Sequence, residues 1–195
     1  LPLFRSEIIK NCGTVSGIDF FHNTFLKPKC FREEVVASFY KREFLLKNNL
    51  FFTEGILHED SEFTPKVYLK AEKIEYFHCP FYFYRQRSGS IMSKVTDKSN
   101  ISLERICYSL YEDYKNCKSE KGKKVLSKLI ISYYKVILYR AYHKGEKVSE
   151  AQKKYRWFFK NLSGFKNGIF EETLLYFSVG FTNKIRKMIK GEITI

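Results

Sequence analysis

Hydrophobic and polar positions change rhythm along this chain. Residues 1–30 hold no sustained period and are broken by Pro2, Gly13, Gly17 and Pro28. Within them Ser16-Gly17-Ile18-Asp19-Phe20-Phe21 predicts the start of a short helix, with the Ser16 hydroxyl as its cap. Glu34 to Tyr40 is β-branched and aromatic, the composition of a buried strand. Lys41 to Asn48 is built of helix formers, with Phe44 and Leu45 toward the core and Asn48-Asn49 as the stop. Leu50 to Phe63 begins apolar, turns at Gly55, and sets Glu59 and Asp60 beside His58. Thr64-Pro65 predicts the cap and first position of a helix over residues 65–72, since proline suits a first turn. On that expectation residues 60–64 form a tight turn. Lys73 to Phe77 alternates as a strand does, Pro80 interrupts it, and Phe81 to Tyr84 continues extended.

From Ser99 onward the period is helical. Ile101, Ile106, Leu110 and Tyr114 mark one helix, and Val125, Leu126, Leu129, Ile130, Tyr133 and Ile137 a second. Val148 to Leu162 predicts a third, and Ile169 to Lys190 a fourth, broken or bent near Gly180. In its last part Phe181, Ile185, Met188 and Ile189 share one face, while Lys184, Arg186, Lys187 and Lys190 cover the other. Such a basic amphipathic helix suits a membrane surface, and it equally suits docking on its own domain.

Composition narrows the classes. The 195 residues suffice for one ordinary domain, and 44% hydrophobic with 17% aromatic content excludes a mainly disordered chain. No run approaches the roughly 20 apolar residues of a membrane span. The chain opens Leu1-Pro2-Leu3 without Met or a signal-peptide pattern, as expected of a piece from inside a longer protein. Five widely spaced cysteines without a Cys-x-x-Cys pair predict reduced thiols in the cytoplasm, and the four histidines make no metal-ligand spacing with them. A formal net charge of +14 points to an anionic partner or to a lysine-rich solvated surface.

The chemistry concentrates at Glu59 and Asp60. A helix N-terminus carries partial positive charge, so carboxylates there stay ionised and one can act as a general base. The same two acids could simply cap a helix. The segment Arg85-Gln86-Arg87-Ser88-Gly89-Ser90 offers guanidinium forks and hydroxyls that match phosphate oxygens, and equally fits a solvated turn.

Three blocks carry a resemblance. Glu33-Glu34-Val35-Val36-Ala37-Ser38-Phe39-Tyr40-Lys41-Arg42-Glu43-Phe44-Leu45-Leu46 comes first, and Phe52-Thr53-Glu54-Gly55 leading to Glu59-Asp60-Ser61-Glu62-Phe63 follows. Tyr82-Phe83-Tyr84-Arg85-Gln86-Arg87-Ser88-Gly89-Ser90-Ile91 completes the set. In this order they resemble the C-terminal half of a bacterial family 2 glycosyltransferase of the GT-A fold.

The resemblance implies an α/β fold. Residues 1–95 would be the C-terminal, acceptor-side part of a GT-A catalytic domain, with few strands plus helices. Residues 96–195 would be a helical C-terminal region. It implies inverting transfer of a sugar from a nucleotide-sugar donor to a saccharide or lipid-linked acceptor in bacterial surface polysaccharide synthesis. Asp60 would be the catalytic base, with Glu59 orienting it or touching the acceptor. His58, Arg85, Arg87 and Ser90 are the candidate substrate contacts.

The family's Asp-x-Asp motif and nucleotide-binding half have no counterpart here. A divalent metal, Mg or Mn, is therefore expected for the parent enzyme, with none bound by this chain alone, which by itself would be inactive. The expected location is the cytoplasm, peripheral to the inner face of the membrane. The alternatives are a basic non-catalytic module for nucleic acid or anionic membrane, and a scaffold; no nucleic-acid-binding signature accompanies the charge.

Overall fold

The computed structural model describes residues 13–27, 31–77, 82–83, 96–145, 147–167 and 170–190. Its elements are helices: α1 (Gly17–Phe25), α2 (Arg42–Lys47), α3 (Glu59–Lys70), α4 (Asp97–Asn116), α5 (Glu120–Lys144), α6 (Val148–Asn161), α7 (Gly164–Asn167), α8 (Phe170–Phe177) and α9 (Val179–Ile189). The chain divides into two compact units, Leu1–Val125 and Leu126–Ile195, and α5 runs through the boundary.

The α/β expectation is corrected here: no strand forms among the described residues. The segment expected as a buried strand instead makes a single 3-10 turn at Val35–Ala37 and then runs extended, with Phe39 86% exposed. β-branched and aromatic residues favour a strand only when a pleated neighbour covers them, and among the described residues none does. Of the expected second strand, one antiparallel bridge remains. Val15 N–H donates to Ile74 O at 3.0 Å, and Ile74 N–H returns to Val15 O at 2.7 Å. This chain is therefore not an α/β GT-A fragment.

In the first unit α1 lies against α3. The Ser16 hydroxyl accepts from Asp19 N–H at 3.1 Å, the cap read from the sequence. Gly17 lets the two helices meet: its N–H donates to Ala71 O at 2.8 Å, and a Cβ there would stand 2.2 Å from the Tyr68 carbonyl oxygen. Phe20 and Phe21 then pack on the Tyr68 ring. On the other side of α3, Leu50, Phe63 and Val67 form a small core with Tyr40, Phe44 and Leu45 packed against it.

The expected turn at residues 60–64 is absent, because α3 is continuous from Glu59 through Pro65. First-turn N–H groups have no intrahelical partner in any case, so a proline one turn further in costs one ladder bond. Outside contacts offset it. The Ser61 hydroxyl donates to the Glu33 carboxylate, and Thr64 Oγ1 donates to Glu33 O at 2.6 Å.

In the second unit the core is apolar and aromatic, with Tyr134, Tyr155, Phe158 and Phe159 fully buried. The expected long last helix is two helices. They break at Ser178, whose hydroxyl accepts from Phe181 N–H at 3.3 Å, while Gly180 stays helical. Gln152 of α6 clamps this break. Its Nε2 donates to Leu175 O at 2.6 Å, and its Oε1 accepts from Val179 N–H at 3.1 Å. Arg156 adds bonds to Tyr176 O at 2.7 Å and Phe177 O at 2.6 Å.

Candidate functional site

Glu59 and Asp60 are the first two residues of α3, inside the helix and not at its cap position. The cap position belongs to His58, which sits in the left-handed region at φ 63° and gives no side-chain cap. Its ring turns away instead, with Nε2 at 2.8 Å from Ser99 Oγ on α4. Beside it Leu57 N–H donates to Ser102 Oγ at 3.0 Å. The entry to α3 is thus pinned by two serines one turn apart on α4.

Further along α3 the same face of α4 is met again. Lys66 Nζ donates to Glu62 Oε1 at 2.7 Å and to Ser109 Oγ at 2.8 Å, and the Ser109 hydroxyl donates to the same Glu62 carboxylate. Burial pushes the Glu62 carboxyl up, but bonds from Lys66, Ser109 and Thr53 outweigh it and hold it below the usual range. Asp113, one turn beyond Ser109, has a buried Oδ2 without a hydrogen-bond partner. Burial raises its pKa, with Lys66 opposing and Glu62 adding to the rise. This triad of Glu62, Lys66 and Ser109 ties α3 to α4.

The exposed end of α3 differs. Glu59 is exposed, whereas Asp60 is half-buried. Asp60 Oδ1 accepts from Ser61 N–H at 3.1 Å. Its pKa is raised, first by burial and then by the charges of Glu59 and Glu34; backbone N–H bonds from its own helix turn oppose this. Tyr40 lies close by, its phenol pushed up by burial and by the Asp60 charge, and held by bonds with Ser38 and Thr64. A carboxylate with raised proton affinity at a helix N-terminus is suited to accept a proton from a hydroxyl.

The structure therefore brings His58, Glu59 and Asp60 together at one helix end. Arg85, Arg87 and Ser90 lie outside the described residues. Glu34, Tyr40, Ser99 and Ser102 complete the surroundings and were not singled out from the sequence. The serines recur at i, i+3 and i+10 along α4, which was the available signal, but their partners lie more than 40 residues away. Among the described residues no group of three His, Cys, Asp or Glu could hold a metal ion, so no residue set fits the expected divalent cation. Among the described residues Cys107 and Cys117 form no disulfide; Cys107 is buried, which raises its pKa. No described helix is long and apolar enough to cross a membrane.

No protein-family model matches the chain, and no solved structure does. Among curated proteins, a cholesterol galactosyltransferase of Borreliella burgdorferi is similar to it, 37% identical over 65 residues. The similar stretch is 32% of this chain and 18% of that protein. The similarity supports a glycosyltransferase origin, and it does not extend to the family 2 GT-A assignment.

Proposed function

We propose that this chain forms the acceptor side of a glycosyltransferase, with Asp60 as the general base. The acceptor hydroxyl attacks the anomeric carbon of a nucleotide sugar. The new C–O bond forms as the bond to the nucleoside diphosphate breaks, and the hydroxyl proton passes to Asp60. A single displacement of this kind inverts the anomeric centre and needs one base within hydrogen-bond reach.

The observation that carries this is the environment of Asp60. Burial and two neighbouring carboxylates raise its affinity for a proton, at a helix end whose N–H groups still favour the charged form. Glu59, exposed beside it, contacts the acceptor or steers Asp60. His58, held by Ser99, shapes the same end. Arg85, Arg87 and Ser90 are proposed for the leaving diphosphate on their chemistry alone. The nucleotide pocket and its divalent ion are assigned to other parts of the enzyme, so this chain alone gives no transfer. The similar galactosyltransferase is named for a sterol acceptor, which favours a lipid hydroxyl among the possible acceptors, alongside saccharides of the bacterial surface.

The test is Asp60→Asn in the intact enzyme. It keeps the size of the side chain and removes the proton acceptor. Transfer should fall by about 10²–10⁴-fold, with donor affinity little changed. The melting temperature at neutral pH should hold or rise, because a disfavoured charge is lost. Near-wild-type transfer removes Asp60 as the base.

A further inference from the structure

The excess charge of this protein is uneven. Residues 126–195 carry 14 Lys and Arg against 5 Asp and Glu, whereas residues 1–125 carry 21 against 16. Within the second unit, α9 is a helix with two apolar aspects. One faces its own unit: Val179 and Thr182 are buried, and a Cβ on Gly180 would lie 3.7 Å from the Tyr142 ring. The Arg186 guanidinium continues this stripe over the Tyr139 ring, 5.5 Å from its centre. The other aspect is Phe181, Ile185, Met188 and Ile189. Phe181 is 56% and Ile189 79% exposed, while Ile185 and Met188 are half-buried. Docking on its own domain therefore uses Val179, Thr182 and Arg186, and of the face picked out by hydrophobic periodicity Phe181 and Ile189 are left outward. At 100° per residue, Lys184 falls about 60° to one side of Phe181 and Lys187 about 60° further round, and both are exposed.

We propose that the outward face of α9 seats the protein on an anionic bilayer, with Phe181 and Ile189 entering the headgroup and acyl boundary and Lys184 and Lys187 meeting lipid phosphates. Eleven residues of helix span about 16 Å, too short to cross a membrane and long enough to lie along one. Charge complementarity selects an anionic surface. Three of the four residues of that face, Ile185, Met188 and Ile189, are aliphatic, which favours hydrocarbon over nucleic acid, since Phe181 alone offers a ring for a base to stack on. The one guanidinium of this helix is engaged with Tyr139.

The test needs no sugar and stands apart from the glycosyltransferase reading. The full chain is co-sedimented with vesicles of phosphatidylcholine, with and without phosphatidylglycerol. Binding is expected to the anionic vesicles and to fall as salt rises. Phe181→Ser with Ile189→Ser should weaken it at least about tenfold. Lys184→Gln with Lys187→Gln should weaken it by about fivefold for each lysine. All four are surface changes, and circular dichroism should show the helical content unchanged. Equal binding to both vesicle types, or serine variants that bind as the wild type does, overturns the proposal. So does a DNA duplex that displaces the protein from vesicles through the lysines with the serine variants unaffected.

Discussion

The two units hold their helices by different means. In the first, α3 is fastened by polar contacts: Ser61 and Thr64 to Glu33, His58 and Leu57 to serines of α4, and the triad of Glu62, Lys66 and Ser109. The apolar cluster on one side of α3 is small, Leu50, Phe63 and Val67 with partly buried partners, while Leu103, Ile106, Cys107 and Leu110 of α4 are buried as well. In the second unit buried aromatic rings fill the interior, and polar groups serve mainly to satisfy helix ends, as Gln152 does. Apolar packing stabilises without regard to direction, whereas hydrogen bonds fix a position with little net energy. The polar fastening stands beside the acid pair, and the buried aromatic rings lie in the second unit.

That contrast can be broken by substitution. Phe158→Ala should destabilise the second unit by about 3–5 kcal/mol, as expected for an aromatic side chain lost from a full interior. Urea unfolding of the full chain measures it, and a loss below about 1 kcal/mol would show the core less filled than described. Ser109→Ala should cost less, about 1–2 kcal/mol, because one neutral group leaves a charged network. It also has a pH signature. Glu62 has a lowered pKa, so it contributes stability present above its unfolded pKa and lost as pH falls through the folded value. Removing the Ser109 bond should shrink the difference in stability between pH 7 and acid, and an unchanged difference would place the effect elsewhere.

The smallest change should be Glu59→Gln in the intact enzyme. Glu59 is one of two carboxylates that raise the Asp60 pKa. Its neutralisation lets Asp60 ionise at lower pH, so the acid limb of kcat/KM should move toward lower pH. A limb that stays in place would mean that Asp60 is not the titrating group.

How much could be read in advance follows the same division. The helices from residue 99 onward show a 3.6-residue period because one stripe meets a core, and they form close to where that period places them. Even there Ile101 is exposed, with Leu103, Ile106, Cys107 and Leu110 taking the buried stripe of α4. The cap at Ser16 is local chemistry and was legible. The expected strand at Glu34 to Tyr40 was not realised, because strand propensity counts on a neighbouring strand that the segment does not announce. Pro65 signalled a start and stands inside a helix, since tertiary bonds to Glu33 outweigh a local preference. Two adjacent acids drew the eye to Asp60 correctly as a helix-end position. What surrounds them could not be found from spacing, as Glu34, Tyr40 and Ser99 reach it only through the fold.

The hydrogen bonds tying α3 to Glu33 and to the serines of α4 span 28 to 47 residues of chain. Each closes a long loop, and the entropy of that closure returns whenever the bond opens. A segment anchored this way exchanges its amide hydrogens through sub-global opening of either flank, without the whole molecule unfolding. The acid pair thus sits on a helix whose exposure to solvent is set by two remote stretches of sequence. Hydrogen exchange in α3 beyond its first turn should track the stability of the α4 contact more closely than that of the aromatic interior.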